Sequence, residues 1–539
     1  MNLLTDPWIP VRCASGQTRL IAPLQLGDED DPPLELNAIR PDFNGALAQW
    51  LTGLMQWLAP EDPDEWRDTA LGRDTPDFGR WREIAYCFEL DQGERRFMQD
   101  MDFEDTGPDE EDGDLAALLL EAPGGNTIRN NADLFVKRHE GMTLSLSLAA
   151  QALLTLQTNA PSGGQGHRTS LRGGGPVSML LWPDSLGGNL LPLWRKLWFN
   201  TLPLEGDEPR AEIIFPWMAP CLTSEGGRDV HAALAEKMPS ELELLLLCYF
   251  ATPRRIRLCF QAEGMCSLSG GSGPCVTGYE TRNLGANYRS ELFRHPLSPY
   301  YQDKKTGYFL PVHVGETGFT YADWLLLAET RGRPQVLDTQ RLGSNLQKQL
   351  PPDCIWAFGF SMDNMKCLAW HERRFNPLQL GDPERLGALL VDVRLWLAAT
   401  DETRQALARQ LRAAWSDQGK GDASVAEREL YACTEQDFHA LVNERAALEV
   451  LDEAALTQAQ QDMRRHWQQT LARAALGLFK RHAECGDVAE SNIQAIRRAA
   501  LAHRGLSKVV YGKLAKTLEI QKVRTSEPKA RTGKGRKAA

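Results

Sequence analysis

Beyond Pro377 the sequence changes texture, and that break constrains the fold more than any single motif. The stretches Leu380 to Ala399, Glu402 to Trp415, Ala426 to Val450, Glu453 to Ala483 and Glu490 to Leu518 are rich in Ala, Leu, Arg, Glu and Gln, with few interior prolines. Such residues lose little rotamer freedom in a helix, so the region predicts an antiparallel, all-α helical bundle over 378–518. Its breaks fall at Ser416 to Gly421 and at Cys485-Gly486-Asp487.

Before the break the patterns are mixed. Trp8-Ile9-Pro10-Val11 and Thr18 to Ile21 flank a turn-forming Ala14 to Gln17, which predicts a β-hairpin. Phe43, Leu47, Trp50, Leu51, Leu54, Met55 and Leu58 recur at three- and four-residue spacing, which predicts a helix ended by Pro60. From there to about residue 375, helical and strand-like stretches alternate with Gly- and Pro-rich connections, without the regular alternation of an α/β sheet. The expected class is therefore α+β: a large irregular mixed domain over 1–377, the helical bundle over 378–518, and a basic tail over 519–539. No internal repeat is visible.

Charge narrows the function. The 539 residues carry a formal −12, which excludes a small basic nucleic-acid module. Nine of the fifteen residues from Asp100 to Asp114 are acidic, whereas Lys508 to Ala539 is +8 and the remaining chain −20. The acidic run reads as a solvated loop. The basic end reads equally as a solvated tail or as an electrostatic arm for nucleic acid. The longest apolar run, Leu244 to Ala251, is far below the ~20 residues of a spanning helix, and MNLLTDPWIPV lacks a basic signal-peptide head. Eleven cysteines without a repeating framework suit a reducing compartment. A cytoplasmic protein with no membrane partner is expected.

No catalytic constellation stands out. The sequence has no Walker-type phosphate loop, no Gly-x-Ser-x-Gly elbow and no His-Glu-x-x-His pair. Cys259, Cys266 and Cys275 form no Cys-x-x-Cys knuckle, so a bent hairpin with buried thiols is favoured over a zinc site. We expect neither metal nor cofactor.

Three segments suit nucleic acid instead. Gly124 to His139 interleaves amides, the ring of Phe135 and the cations Lys137 and Arg138; rings stack on bases while cations neutralise phosphate. Pro161 to Gly175 combines unhindered backbone amides with His167, Arg168 and Arg172, an anion cradle in outline, although a plain flexible loop explains its glycines equally well. Met362 to Arg374 packs amide, thioether, ammonium and indole groups into one turn and strand, as a wedge into a duplex would; an ordinary strand with one buried face is the plainer reading.

Met1 to Val11, Arg96-Phe97-Met98-Gln99, Asn130 to Phe135, the glycine stretch 162–175, Arg294 to Tyr300 and Met362 to Lys366 occur in the order found in one family. The sequence resembles CasA, the large subunit of the type I-E CRISPR Cascade antiviral complex, from residue 1 into the helical region. The opening motif and the Asp-Asn-Met-Lys segment carry the resemblance most specifically.

That resemblance implies an α+β N-terminal domain with a C-terminal four-helix bundle, in a non-catalytic subunit that recognises the protospacer-adjacent motif (PAM) in double-stranded DNA and helps initiate the R-loop. It also implies support of the displaced strand and recruitment of the helicase-nuclease. Implied partners are other Cascade subunits, the CRISPR RNA 5′ handle, target duplex and displaced single strand. By position, Asn131 and Phe135 match the loop near the RNA handle, and Lys137 and Arg138 its motif-facing side. Ser162, Gly163, Gly164 and Gly166 match the glycine loop, Arg282 is nearest to the basic groove residue, and Met365, Lys366 and Cys367 match the minor-groove wedge. A Lys at the wedge cannot accept a hydrogen bond from guanine N2, so permissive motif reading is expected. Arg464, Arg465, Arg473, Lys480, Arg497 and Arg498, together with Arg481, Lys508, Lys513 and Lys516, are candidates to hold the displaced strand; for each, a solvated helix face is the plainer reading. The alternative function is a purely structural bridging subunit without its own DNA readout.

Overall fold

The computed structural model describes residues 1–103, 115–123, 125–131, 133, 141–163, 166–206, 208–328, 332–351, 353–363, 366–376, 383–416, 418–448, 453–484 and 492–521. The chain divides into two compact units, Met1–Phe319 with Asp323–Gln379, and Thr320–Ala322 with Leu380–Ala539.

The first unit is mixed, and its centre is the helix Pro41–Leu58. Pro41 suits the first turn because the missing N–H has no partner there anyway. Almost every residue from Asp42 to Leu58 is buried, on all faces rather than one stripe. Gly45 and Gly53 allow this: a Cβ at Gly45 would lie 2.5 Å from the Trp370 ring, and one at Gly53 2.6 Å from Tyr249 Cβ. The helix's polar groups are satisfied locally or by neighbours. Thr52 donates to the Ala48 carbonyl at 2.7 Å, and Gln56 exchanges two 2.7 Å bonds with the backbone of Leu202. Around it Trp8, Trp50, Phe88, Phe97, Phe215, Trp217 and Phe250 form an aromatic core with edge-to-face contacts such as Trp8–Trp50 at 5.3 Å and Phe215–Phe250 at 5.0 Å.

Among the described residues, three three-stranded antiparallel sheets and two two-stranded ones accompany this core. Ile9–Cys13 is the middle strand between Thr18–Ile21 and Pro33–Leu36. Ile355–Asp363 lies between Lys366–Phe375 and Ser178–Leu181. The long hairpin Arg255–Met265 and Ser272–Arg282 adds Leu144–Ser145 at its edge, and register shifts near Phe260 and Gln261 bend it. Cys259 and Cys275 sit on this hairpin, with Cys266 and Cys275 buried. Among the described residues no group of three or more His, Cys, Asp or Glu is placed to hold a metal ion.

Among the described residues the second unit has four long helices, Pro383–Trp415, Ser424–Ala447, Glu453–Phe479 and Ile493–Lys508, and a short one, Leu514–Thr517. The third and fourth long helices are prolonged by π-turns at Lys480–Glu484 and Val509–Lys513. One expectation needs correcting. From Pro383 on, the two stretches expected to break at 400–401 form a single 33-residue helix, Pro383–Trp415, because Thr400 and Thr403 donate to the Trp396 and Ala399 carbonyls at 2.9 and 2.7 Å and so offer no competing cap. In the core Tyr321 stacks on Phe438 at 4.4 Å and its hydroxyl meets Thr434 Oγ1 at 2.9 Å. Buried Asp392 accepts from Arg445 at 2.7 Å, Gln460 at 2.9 Å and Arg464 at 3.1 Å. The acidic residues 104–114, and the basic tail after Gln521, lie outside the described residues. No helix among the described residues is long and apolar enough to cross a membrane.

Buried His295 gives the first unit a pH dependence. Its Nδ1 accepts from the Leu297 N–H at 3.2 Å, its ring meets Tyr249 edge-on at 4.9 Å, and burial together with the charge of Arg172 holds its pKa well below 6.5. The folded chain therefore binds this proton less readily than the unfolded chain, so the contribution to stability is complete above pH 6.5 and is lost as pH falls below it. Urea titrations across this acid range should show His295→Gln with a shallower fall than wild type, by up to about 1.4 kcal/mol per pH unit. Equal slopes would contradict the assignment.

Candidate nucleic-acid interface

The hairpin formed by Ile355–Asp363 and Lys366–Phe375 has one face fixed by burial. Every residue from Ile355 to Ser361 is buried, whereas Lys366, Leu368 and Ala369 are exposed. Asp363 pairs with Lys366 and Met362 with Cys367 across the tip, and the register shifts between Ser361 and Met362. A bulge at that point twists the tip away from the regular ladder. Lys366 and Cys367 point to opposite faces because side chains alternate along a strand. The thiol of Cys367 is turned to the body, where burial, reinforced by the carboxylates of Glu121 and Asp42, pushes its pKa up to about 12. The ammonium of Lys366 faces outward. Met365 and Asn364 lie outside the described residues.

The glycine stretch backs directly onto this hairpin. At Gly175, φ is +62°, and a Cβ would run into the Phe360 carbonyl oxygen and lie 2.9 Å from Met362 Cγ. A Cβ at Gly174 would lie 2.9 Å from Pro161 Cα, and the Gly174 carbonyl accepts from His313 Nδ1 at 2.9 Å. At the other end of the stretch, Gly166 has φ +84°, and a Cβ there would lie 2.8 Å from the Leu284 nitrogen. The Gly285 N–H donates to the Gly166 carbonyl at 3.2 Å. Gly163 lies over the guanidinium of Arg254, which donates from Nη2 to the Pro161 carbonyl at 2.5 Å. Ser162 and Gly163 are exposed, and Gly164 lies outside the described residues.

One stretch thus touches both the turn that follows Arg282 and the base of the hairpin tip that carries Lys366. Arg282 itself is half-buried; its Nη1 donates to the Thr281 carbonyl at 2.8 Å, and its guanidinium lies 4.7 Å from the Phe103 ring centroid. The guanidinium of Arg257 lies over the same ring at 4.5 Å, with its charge paired to Glu280. Asn131 is exposed in the left-handed region at φ 49°, where its N–H donates to the Ile128 carbonyl at 3.0 Å and closes the short helix Gly125–Arg129. Phe135, Lys137 and Arg138 lie outside the described residues.

Two arginines of the supposed anion cradle are structural. Arg172 is buried, donates from Nη1 to Ser178 and Ser298 at 2.8 Å each and from Nη2 to Gln49, and burial pulls its pKa down to about 10. Arg168 donates from Nε to Ser224 at 2.9 Å. Arg254 was missed by sequence reasoning; its only local signal is the Thr-Pro-Arg-Arg turn before a strand.

On the helical unit the cations separate into two kinds. Arg464 bridges Asp392 and Glu519, Arg465 pairs with Asp462 at 2.8 Å, and Arg481 with Glu429 at 3.3 Å. Lys513 pairs with Glu402, and Arg498 is also engaged. Arg473, Lys480, Arg497, Lys508 and Lys516 are exposed. Arg504, absent from the sequence-derived candidates, is exposed as well.

With this geometry in hand, comparison with known proteins is informative. Residues 2–478 match the family model of CRISPR-associated protein Cse1. The fold is similar to Thermobifida fusca Cse1, with a TM-score of 0.64 and 18% identity over 96% of this chain and 98% of that one. It is similar to Thermus thermophilus CasA (Cse1), with a TM-score of 0.62 and 18% identity over 94% and 99%. It is also similar to a chain of a CRISPR RNA-guided surveillance complex, at a TM-score of 0.65 and 16% identity over 95% and 99%.

The packing at Gly175 is testable. Gly175→Ala forces a left-handed Ala against the Phe360 carbonyl and should lower stability by about 1–3 kcal/mol in urea unfolding. The same variant should loosen the strand behind Met362, read as faster amide exchange at Phe360 to Met362. Unchanged stability and exchange would remove the glycine stretch as the hairpin's support.

Proposed function

The chain belongs to the CRISPR-associated Cse1 (CasA) family, the large subunits of type I-E Cascade, and from that premise we propose that it reads the PAM in duplex DNA and begins R-loop formation. The observation that carries this reading is the single glycine stretch that packs against both the hairpin tip of Lys366 and the turn after Arg282. An outward ammonium at the end of a hairpin strand, backed by a tightly packed loop, suits entry into a minor groove, where shape and phosphate are read more readily than base identity. Ser162 to Gly166 and Arg282 would lie along the flanking backbone, and Asn131, Phe135, Lys137 and Arg138 toward the RNA handle and motif.

The wedge would begin unstacking, and RNA–DNA pairing would then extend away from it. Exposed cations of the bundle, such as Arg473, Lys480 and Arg497, would hold the displaced strand through salt-sensitive contacts. Arg464 and Arg465 hold ion pairs with Asp392, Glu519 and Asp462 and have less charge to offer. In this reading the subunit acts by binding alone, in the cytoplasm, and presents a docking surface to the helicase-nuclease.

Lys366→Ala and Phe135→Ala in a reconstituted Cascade test it. Loss of the Lys366 phosphate contact should weaken target-duplex binding across PAM variants and lower the slope of log affinity against log salt by about 0.9. Unchanged duplex affinity in both variants would sink the wedge-and-loop reading and leave a bridging subunit.

A further inference from the structure

The last bundle helix presents one face that packing does not use. Ala502, Leu506, Val510 and Leu514 are buried, and on the opposite side Ile493, Arg497, Leu501, Arg504, Lys508 and Tyr511 are all exposed. At 3.6 residues per turn the spacing 493, 497, 501, 504, 508 keeps the first five within an arc of about 80° and spreads them over about 22 Å, and Tyr511 follows in the π-turn Val509–Lys513. Ile493 is 74% exposed, Leu501 58% and Tyr511 62%. The π-turn Val509–Lys513 accounts for the last of these: its wider turn leaves Tyr511, Gly512 and Lys513 consecutively exposed between buried Val510 and Leu514.

The stripe has a distinct chemistry. No Asp or Glu occurs between Ser491 and Leu518. Among the described residues no ion pair involves Arg497, Arg504 or Lys508, whereas Lys513 outside the stripe is paired with Glu402. Arg497 separates Ile493 from Leu501, and Arg504 and Lys508 separate Leu501 from Tyr511, so no apolar seam runs the length of the stripe for a partner helix to enter. Alternating cations and flat or apolar surfaces instead match a single strand, in which phosphates and base faces alternate on the same scale. A duplex would hide its base faces and leave Tyr511 without a role.

We propose that this stripe is a binding track for single-stranded nucleic acid, with Tyr511 as its stacking platform. The inference rests on the reading that the bundle supports the displaced strand, and adds the track, its direction along one helix and the residue that meets a base. Arg497, Arg504 and Lys508 neutralise successive phosphates, and the Tyr511 ring at the C-terminal end of the track receives an unpaired base.

The test uses the full-length chain and a fluorescent oligodeoxythymidine, with affinity read by anisotropy across a salt series. Tyr511→Ala should weaken binding roughly 5- to 100-fold with little change in salt slope, and Tyr511→Phe should stay within about twofold of wild type, because stacking needs the ring alone. Lys508→Ala should lower the salt slope by about 0.7. A triple Arg497→Ala, Arg504→Ala, Lys508→Ala variant that weakens binding while Tyr511→Ala does not would overturn the stacking platform and leave the bundle reading intact. No binding by wild type would overturn the track and the bundle reading together, whereas equal binding by wild type and triple variant would overturn the track and leave the bundle reading to Arg473 and Lys480. Loss of neighbouring subunits from the triple variant, with strand affinity unchanged, would replace the proposal by a protein contact. Thermal melting controls for folding, and none of the four side chains is buried.

Discussion

The first unit depends on a buried guanidinium. Arg172 sits at the end of the glycine stretch, and among the described residues no carboxylate pairs with it. Its charge is held by the oxygens of Gln49, Ser178 and Ser298, which come from the central helix, a strand of the hairpin's sheet and the loop after His295. An unsatisfied charge there would cost several kcal/mol, so these four pieces of chain are obliged to stay together. Burial, with the same charge adding to it, lowers the pKa of His295 and keeps the ring neutral. The glycine stretch is therefore anchored before it reaches Gly175, and its close approach to Phe360 follows from that anchor.

This changes what the glycines mean. In sequence, Ser162 to Gly175 fits a flexible linker as well as a binding loop. In the fold, Gly166 and Gly175 occupy left-handed conformations against neighbouring backbone, and Gly174 lies against Pro161. The described glycines at the two ends serve close packing. What they position is the neighbouring surface: the turn at Asn283 to Gly285 at one end and Met362 at the other.

Periodicity revealed the central helix because the seven periodic positions Phe43, Leu47, Trp50, Leu51, Leu54, Met55 and Leu58 are all buried. It also revealed the helical unit, although it divided the first helix at Thr400, where composition alone suggests a cap and only the Trp396 carbonyl shows otherwise. Cation roles were much harder to read. Arg465 and Asp462 are three residues apart, so that pair was visible in the sequence. Arg464 and Asp392 are 72 residues apart, and no local pattern reveals that this arginine is committed to a buried carboxylate. Arg172 looked like part of an anion cradle for the same reason: its partners Gln49 and Ser298 are 123 and 126 residues away.

The net charge of −12 can now be understood physically. Much of the positive charge is locally cancelled, as at Arg40 with Asp42 and Glu121, Arg210 with Glu243, Arg257 with Glu280 and Arg404 with Asp401 and Glu427. Cancelled pairs add almost nothing beyond about 8 Å at physiological salt, so the field near any patch of surface is set by the unpaired charges of that patch, and is favourable to a strand only where unpaired cations lie together. An acidic protein of this kind gains little from long-range steering and relies on short-range contacts made after other subunits have brought the nucleic acid close. Rigid placement then matters more than the number of charges. A lysine at a bulged hairpin tip over a packed glycine stretch, and a tyrosine lifted out by a π-turn beside unpaired cations, are two ways in which this fold supplies that placement.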